Sequence, residues 1–365
     1  MFDFAGRRER LLQELKPLDV QGILVTNEVN VRYLSGFTGD SSYLLLTEDK
    51  QFIISDSRYD TQIADECPDL ELVTRTARKE MRESVAETVR SCSLNRLALE
   101  TDSLTKQVFD QLAEVLPEVN WRDTTQLIVN LRAIKDEQEI QLIRQAVALA
   151  ERCFLCARAR IHGEMSELQV AHQMESVIRE LGGQGRAFDM IVAAGPRAAL
   201  PHAGTTTGKV GSSPFVLFDW GANYQGYVSD LTRVLITGDV SDQFIKVYNT
   251  VREAQEKAIE LIRPGQSLKA VDDAARGWID QAGFGDYFGH GLGHGIGLQV
   301  HEQPRFSPTA EGVLKPGMVV TVEPGIYLPG NLGVRIEDDV LVTEDGCEVL
   351  SSLPKCLEDN RVGLL

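Results

Sequence analysis

The stretch FVLFDWGANYQGYVSDLTR, Phe215 to Arg233, decides the fold and holds two aspartates, Asp219 and Asp230. Apolar Phe215, Val216, Leu217 and Phe218 lead in, Asn223 to Gly226 supply turn residues, and Tyr227 to Ile236 lead out rich in β-formers. The pattern is a β-hairpin. With its tip between Tyr224 and Gln225, the two acids are equidistant from the turn and face each other, their Cβ atoms about 4.5–5.5 Å apart. Alternation sets Asp219 beside Phe215 and Leu217, and Asp230 beside Val228 and Val234, so both acids point into apolar surroundings. Buried paired carboxylates need cations or protons. A surface hairpin carrying two unrelated acids needs neither, and the hairpin alone leaves both readings open.

Partners for the acids lie downstream. GHGLGHGIGLQVHE, Gly289 to Glu302, holds three of the six histidines, His290, His294 and His301, in a glycine-rich segment that cannot form a stable helix. Neutral imidazole is a common metal ligand and acid/base group near neutrality. MVVTVEPGIY, Met318 to Tyr327, is an apolar strand that ends at Glu323, where the following Pro324 favours extended backbone. GVRIEDDVLVT, Gly333 to Thr343, reads as one strand with Val334, Ile336, Val340 and Val342 on one face and Arg335 and Glu337 on the other. His202 follows Pro201 on a loop after the FDMIVAAG strand, Phe188 to Gly195. Asp219, Asp230, Glu323 and Glu337 carry four negative charges, which two divalent cations balance, with His294 as a fifth, neutral ligand. Such a pair of ions lowers the pKa of a water to give hydroxide while polarising a carbonyl, which is hydrolysis chemistry. The oxygen-rich set favours manganese, cobalt or iron over the surroundings of structural zinc.

The rest of the 365-residue chain frames that site, and its length calls for two domains. A net charge of −17 excludes a basic face for nucleic acid. No run approaches the length of a membrane span, and Met1 to Leu15 lacks the apolar core of a secretion signal, so the expected location is cytoplasmic, away from membranes. The six cysteines are scattered and read as free thiols. Before about residue 125, strand-like GILVT, SYLLLTE, QFIIS and RLALE alternate with helical patterns, an α/β domain without any histidine, since the first is His162. NVRYLSGFTGD, Asn30 to Asp40, reads as a polar loop. A long helical pattern capped by Asp136 follows, then a second from Ser166 to Leu181, on which His172 reads as packed or exposed rather than as a ligand. The boundary falls near Asn130, giving residues 1–130 and 131–365. Two further helices, Asp242 to Ile262 and Leu268 to Ala282, are placed to cover a sheet.

Taken in order, LPHAG, DWGANYQGYVSDLTR, GHGLGHGIGLQVHE, TVEPGIY and GVRIEDD resemble the motifs of the pita-bread metallopeptidases, the family of methionine aminopeptidase, Xaa-Pro aminopeptidase and prolidase. The N-terminal domain with NVRYLSGFTG resembles the creatinase-type domain of the proline-specific branch. The resemblance implies an α+β fold, a pita-bread catalytic domain preceded by a smaller α/β domain. By position it implies that Asp219, Asp230, His294, Glu323 and Glu337 bind two divalent metal ions, with Mn²⁺ expected and Co²⁺, Fe²⁺ or Zn²⁺ as alternatives. Glu323 also matches the residue that exchanges a proton with water. His202, His290 and His301 match histidines that bind substrate and assist proton transfer. Arg335 matches a residue that steadies an acidic ligand, with Tyr327 beside it. The implied activity is that of an Xaa-Pro aminopeptidase acting on proline-containing peptides. An Xaa-Pro dipeptidase (prolidase) is the alternative, with Arg305 as a candidate clamp for a substrate carboxylate or an ordinary surface arginine. A non-catalytic pita-bread binding protein and a metal-free amidinohydrolase like creatinase are rivals, against which the complete ligand set speaks. A homodimer is implied too, the N-terminal domain of one subunit bordering the other's active site.

Overall fold

The structure, a computed structural model, describes residues 2–363. Contacts divide the chain into two compact units between Arg132 and Ala133. In the first unit a six-stranded sheet runs in the order Glu71–Arg75, Gln51–Asp56, Tyr43–Thr47, Gly22–Val25, Arg96–Leu99, Asn120–Asp123. Its central strands are short runs of Leu, Ile and Val buried on both faces, as expected where helices cover a mixed sheet. The two edge strands escape sequence reading because ELVTR and NWRD are half-exposed and barely apolar. Asn30 to Asp40 departs from the expected loop: Glu28–Ser35 is a helix. The Asn27 side chain accepts from the amides of Val29 and Asn30, and Gly36, at φ 81°, ends the helix in the left-handed conformation. The polar residues that suggested a loop have partners, since Asn30 donates to buried Glu100 and accepts from Arg132.

In the second unit a central antiparallel sheet orders Leu231–Ile236, Phe215–Trp220 and Ile191–Ala194. Alternation divides its side chains between two cores. Phe215, Leu217, Val234 and Ile236 join the core built on helices Asp242–Glu260 and Leu268–Gln281. Val216, Phe218, Trp220, Leu231 and Leu235 join the core of helices Glu137–Arg160 and Glu167–Glu180, where the Trp220 ring stacks on Phe154 and its Nε1 donates to Ala150 O at 3.0 Å. A five-stranded sheet follows in the order Glu302–Phe306, Gly293–Gly295, Val319–Val322, Asp338–Val342, Cys347–Val349, with a separate ribbon of Gly325–Leu328 and Leu332–Arg335. Helix Glu137–Arg160 starts as expected at Asp136, whose side chain caps the Glu139 amide while Glu139 returns a bond to the Asp136 amide. No helix among the described residues is long and apolar enough to cross a membrane.

Two local expectations are corrected. The hairpin tip lies between Gln225 and Gly226, whose φ values of 50° and 86° make the two-residue turn that matches strand twist. Tyr224 therefore pairs with Tyr227, and Asp219 with Thr232 rather than with Asp230. A slip of two residues preserves the face, so Asp230 is a diagonal neighbour of Asp219. Gly221 interrupts the incoming strand because the Ser229 carbonyl passes where its Cβ would stand. The second correction concerns GVRIEDDVLVT, which is two strands. Leu332–Arg335 pairs with Gly325–Leu328, and Asp338–Val342 with Val319–Val322. Between them Glu337 bridges to Thr232, so the chain changes sheets at the residue that bears the acid.

Candidate metal centre and active site

Strand ends and sheet crossings bring the acids together. Asp219 is the last residue but one of a central strand, Asp230 precedes another, Glu323 follows Val319–Val322 and Glu337 sits at the crossing. His294 lies in the short Gly293–Gly295 strand, where the Thr321 carbonyl passes so close to Gly293 that no side chain fits there. Ligand-type atoms of Asp230, His294 and Glu337 all lie within 4.8 Å of one another. His294 Nε2 is 3.3 Å from Glu323 Oε1 and 3.9 Å from Asp230 Oδ2. Its Nδ1 lies 3.1 Å from the Gly295 carbonyl. A carbonyl only accepts, so Nδ1 holds a proton and Nε2 faces the acids; burial opposes a charge on the ring, but the hydrogen bond and charge of Glu323 outweigh it and raise the pKa of His294.

The chemistry of this set fits divalent cations. Asp219 Oδ1, Asp230 Oδ1 and Glu337 Oε1 are buried without a hydrogen-bond donor among the described residues. Burial, and then the charges of Glu337, Asp219 and Glu323, push the Asp230 carboxyl well above the usual carboxylate range. Glu337 is raised likewise by burial and then by Glu323 and Asp219. Asp219 is raised by burial against the opposing charge of Arg335. Glu323 departs in the other direction, because the hydrogen bond and charge of His294 outweigh its burial. Buried anions with orphaned lone pairs and mutual repulsion are what a cation satisfies.

A second layer holds these groups in place. Arg335 donates through Nη2 to Asp219, through Nη1 to Tyr327 Oη at 2.7 Å and through Nε to Thr232 Oγ1 at 3.1 Å. Thr232 in turn donates to Glu337 Oε2 at 2.7 Å, Thr321 Oγ1 to Glu323 Oε1 at 3.3 Å, and the Asp230 amide to Asp339 Oδ2 at 3.0 Å. Burial pushes the Asp339 carboxyl up to about 8. Sequence reading passed over Thr232, Thr321 and Asp339. Alternation would have found the two threonines, since each stands two residues from an acid and shares its strand face.

One cavity of about 1460 Å³ is lined by every residue singled out from the sequence: Asp219, Asp230, His294, Glu323 and Glu337 with His202, His290, His301, Arg305, Tyr327 and Arg335. His290 Nε2 meets Tyr327 Oη at 2.9 Å, and its Nδ1 lies 2.8 Å from the Gly291 carbonyl. By the same reasoning Nδ1 carries the proton, so Tyr327 accepts from Arg335 and donates to His290. Burial lowers the pKa of His290, and burial with the nearby His294 lowers that of His301, so both rings favour the neutral form. The His301 ring stands edge-on to His294 at 4.5 Å. His202 is exposed on its loop, and His172, exposed on its helix, lines the same cavity. Phe188, Ile191 and Val300 add apolar wall.

Known proteins resemble this chain along nearly its whole length. The model of metallopeptidase family M24 matches residues 141–344, and that of the creatinase/prolidase N-terminal domain matches residues 7–134. The solved Xaa-Pro dipeptidase from Bacillus anthracis is 37% identical, with 97% of this chain and 99% of that one covered at a TM-score of 0.93. For the X-Pro aminopeptidase from Thermotoga maritima the values are 36%, 96%, 99% and 0.87. An uncharacterized peptidase of Bacillus subtilis is 37% identical over 347 residues, 95% of this chain and 98% of its own. The α+β architecture is thus a pita-bread domain preceded by a creatinase-type domain. The chain belongs to metallopeptidase family M24.

Proposed function

We propose that the chain is an Xaa-Pro aminopeptidase, using two divalent cations held by Asp219, Asp230, His294, Glu323 and Glu337. The supporting observation is the convergence of these five side chains with His202, His290 and His301 on one cavity, with buried carboxylate oxygens left without donors. Bound cations supply the acidity that ionises a water near neutral pH and polarises the scissile carbonyl. Manganese is the proposed metal, on the oxygen-rich character of the set. Glu323, the acid closest to His294, takes up the proton of the attacking water. The leaving nitrogen of an Xaa-Pro bond is a tertiary amide without N–H, so it must gain a proton and cannot be recognised as a donor. His290 and His301, held near neutrality and facing the cavity, can pass that proton, while Tyr327 keeps the His290 ring in one orientation. His202 and Arg305 line the same cavity. We also propose that the protein works in the cytoplasm and, as the family resemblance implies, forms a homodimer.

The Xaa-Pro dipeptidase reading stays in view because relatives of nearly equal identity bear either name. The two readings part on Arg305, since a dipeptidase needs a cation for the carboxylate of proline. With Mn²⁺ added, turnover of Ala-Pro-Ala is expected to exceed that of Ala-Pro, and chelator should abolish both. Hydrolysis of Ala-Pro alone would reassign the chain as a dipeptidase. Hydrolysis of neither by metal-replete protein would favour a binding protein on the same fold.

A further inference from the structure

His202, His290 and His301 line the cavity from irregular backbone, and each of these segments is held by one buried carboxylate paired to a cation. Glu167, the first residue of its helix, is buried beneath the loop that bears His202. Its Oε1 accepts from the Ala194 amide at 2.9 Å, and its Oε2 from the Thr206 amide at 3.0 Å and Thr206 Oγ1 at 2.7 Å. Arg197 Nε lies 3.1 Å from both oxygens, and its Nη2 donates onward to the Gly204 carbonyl. One carboxylate therefore ties the backbone on both sides of His202.

The pattern recurs twice. Asp272, fully buried, accepts from the Leu292 amide at 3.0 Å and pairs two-pronged with Arg276. That guanidinium donates to the carbonyls of Phe288 at 3.0 Å and His290 at 2.8 Å, so the pair brackets His290. Glu302, next to His301, accepts from the Gln299 amide at 3.1 Å and from Lys135 Nζ at 3.2 Å, both side chains of the ion pair being buried.

We infer that Glu167, Asp272 and Glu302 are positioning residues, each fixing the loop of one cavity histidine. A buried ion pair is seldom the most stabilising choice, because desolvation offsets much of its Coulomb gain. A carboxylate does offer about four acceptor sites in charge-assisted bonds, enough to immobilise several loop amides at once. Fixing a loop residue costs backbone entropy, which these bonds offset before substrate arrives. Rigid histidines matter because a displacement of about 1 Å from reacting geometry costs on the order of 100-fold in rate. The effect on catalysis rests on the proposed peptidase reading; the effect on the histidines does not.

The test combines histidine side-chain NMR of the full chain with a mutant cycle. Six histidines make the ring resonances assignable. Glu167→Gln should shift or broaden those of His202 and leave His290 and His301 in place. Asp272→Asn should move His290, and Glu302→Gln should move His301 together with its ring neighbour His294. Glu167→Gln should lower kcat/KM for Ala-Pro-Ala at least about 10-fold in the wild-type background, but by no more than about two-fold in a His202→Ala background, because the two act as one unit. Glu151→Gln is the control: Glu151, partly buried, accepts from Ser352 Oγ and the Leu353 amide, and neither residue lines the cavity. It should leave the cavity histidines and kcat/KM unchanged. If Glu167→Gln fails to fold, Thr206→Val removes a single bond to Glu167 and should give the smaller shift of His202 alone. Unmoved His202 resonances, a uniform shift of all histidines, or an equal loss in the His202→Ala background would overturn the inference. Wild-type protein without peptidase activity would overturn the functional reading, and the NMR result would then decide the positioning role by itself.

Discussion

Asp230→Asn is expected to abolish metal-dependent hydrolysis, with a loss on the order of 1000-fold or more. Lewis-acid assistance is worth several kcal/mol, and about 4 kcal/mol corresponds to that factor. Asp230 stands within the set that includes His294 and Glu337, and it precedes the strand on which Thr232 steadies Glu337. The same substitution should have the opposite effect on the stability of metal-free protein. The folded-state pKa of Asp230 is raised, by burial first and by Glu337, Asp219 and Glu323 after it. A raised carboxyl pKa means that its contribution to stability is present below the unfolded value and lost as pH rises through the folded one. Asparagine carries no charge and escapes that loss. In chelator at about pH 8 the variant should therefore unfold at a higher temperature than wild type, and the gap should close as pH falls toward about 4, the ordinary carboxylate range. Saturating Mn²⁺ should reverse the order, because only wild type gains fully from binding. Thermal unfolding with and without metal checks both halves. A variant less stable than wild type under every condition would show that Asp230 is not held under repulsion.

Replacing Arg335 by Met should cost about 3–5 kcal/mol, the usual effect of removing one member of a buried ion pair. The Arg335 side chain is 4% exposed and its guanidinium connects Asp219, Tyr327 and Thr232, so its loss strips a donor from each. Burial works against its charge, but Tyr327 and Asp219 hold it protonated. Tyr327 would keep its bond to His290 yet lose the group that orients it, so kcat should fall alongside stability. Arg335→Lys should recover only part of either, because an ammonium cannot reach three partners in the plane of a guanidinium. Urea unfolding of the metal-loaded protein measures the cost, and a loss below about 1 kcal/mol would contradict a structural role for this arginine.

Much of this site is legible in the sequence for a physical reason. Its acids sit at strand ends, where β-forming residues mark the strand and Pro324 or a turn marks its limit, so alternation assigns each acid a face. Alternation is also why a two-residue error in the hairpin register left Asp219 and Asp230 on the correct face, while a one-residue error would have exposed one of them. What alternation cannot show is a chain that changes sheets. Val334, Ile336, Val340 and Val342 do share one core, yet the hydrogen bonding breaks at Glu337. Asn30 to Asp40 misled because its helix of eight residues has polar side chains whose partners, Glu100 and Arg132, lie 70 and 102 positions away. Glu167, Asp272 and Glu302 were invisible for the same reason. An acid near a helix start or after a histidine resembles any solvated acid until the loop it holds is folded over it.

The most direct measurement is metal content with activity on one preparation. Protein stripped with chelator, dialysed against Mn²⁺ and assayed on Ala-Pro-Ala should bind two ions per wild-type chain, regain turnover as they bind, and lose both in Asp230→Asn. Wild-type protein that binds no divalent cation, or that cleaves the peptide equally well in chelator, would contradict a metal centre at Asp219, Asp230, His294, Glu323 and Glu337.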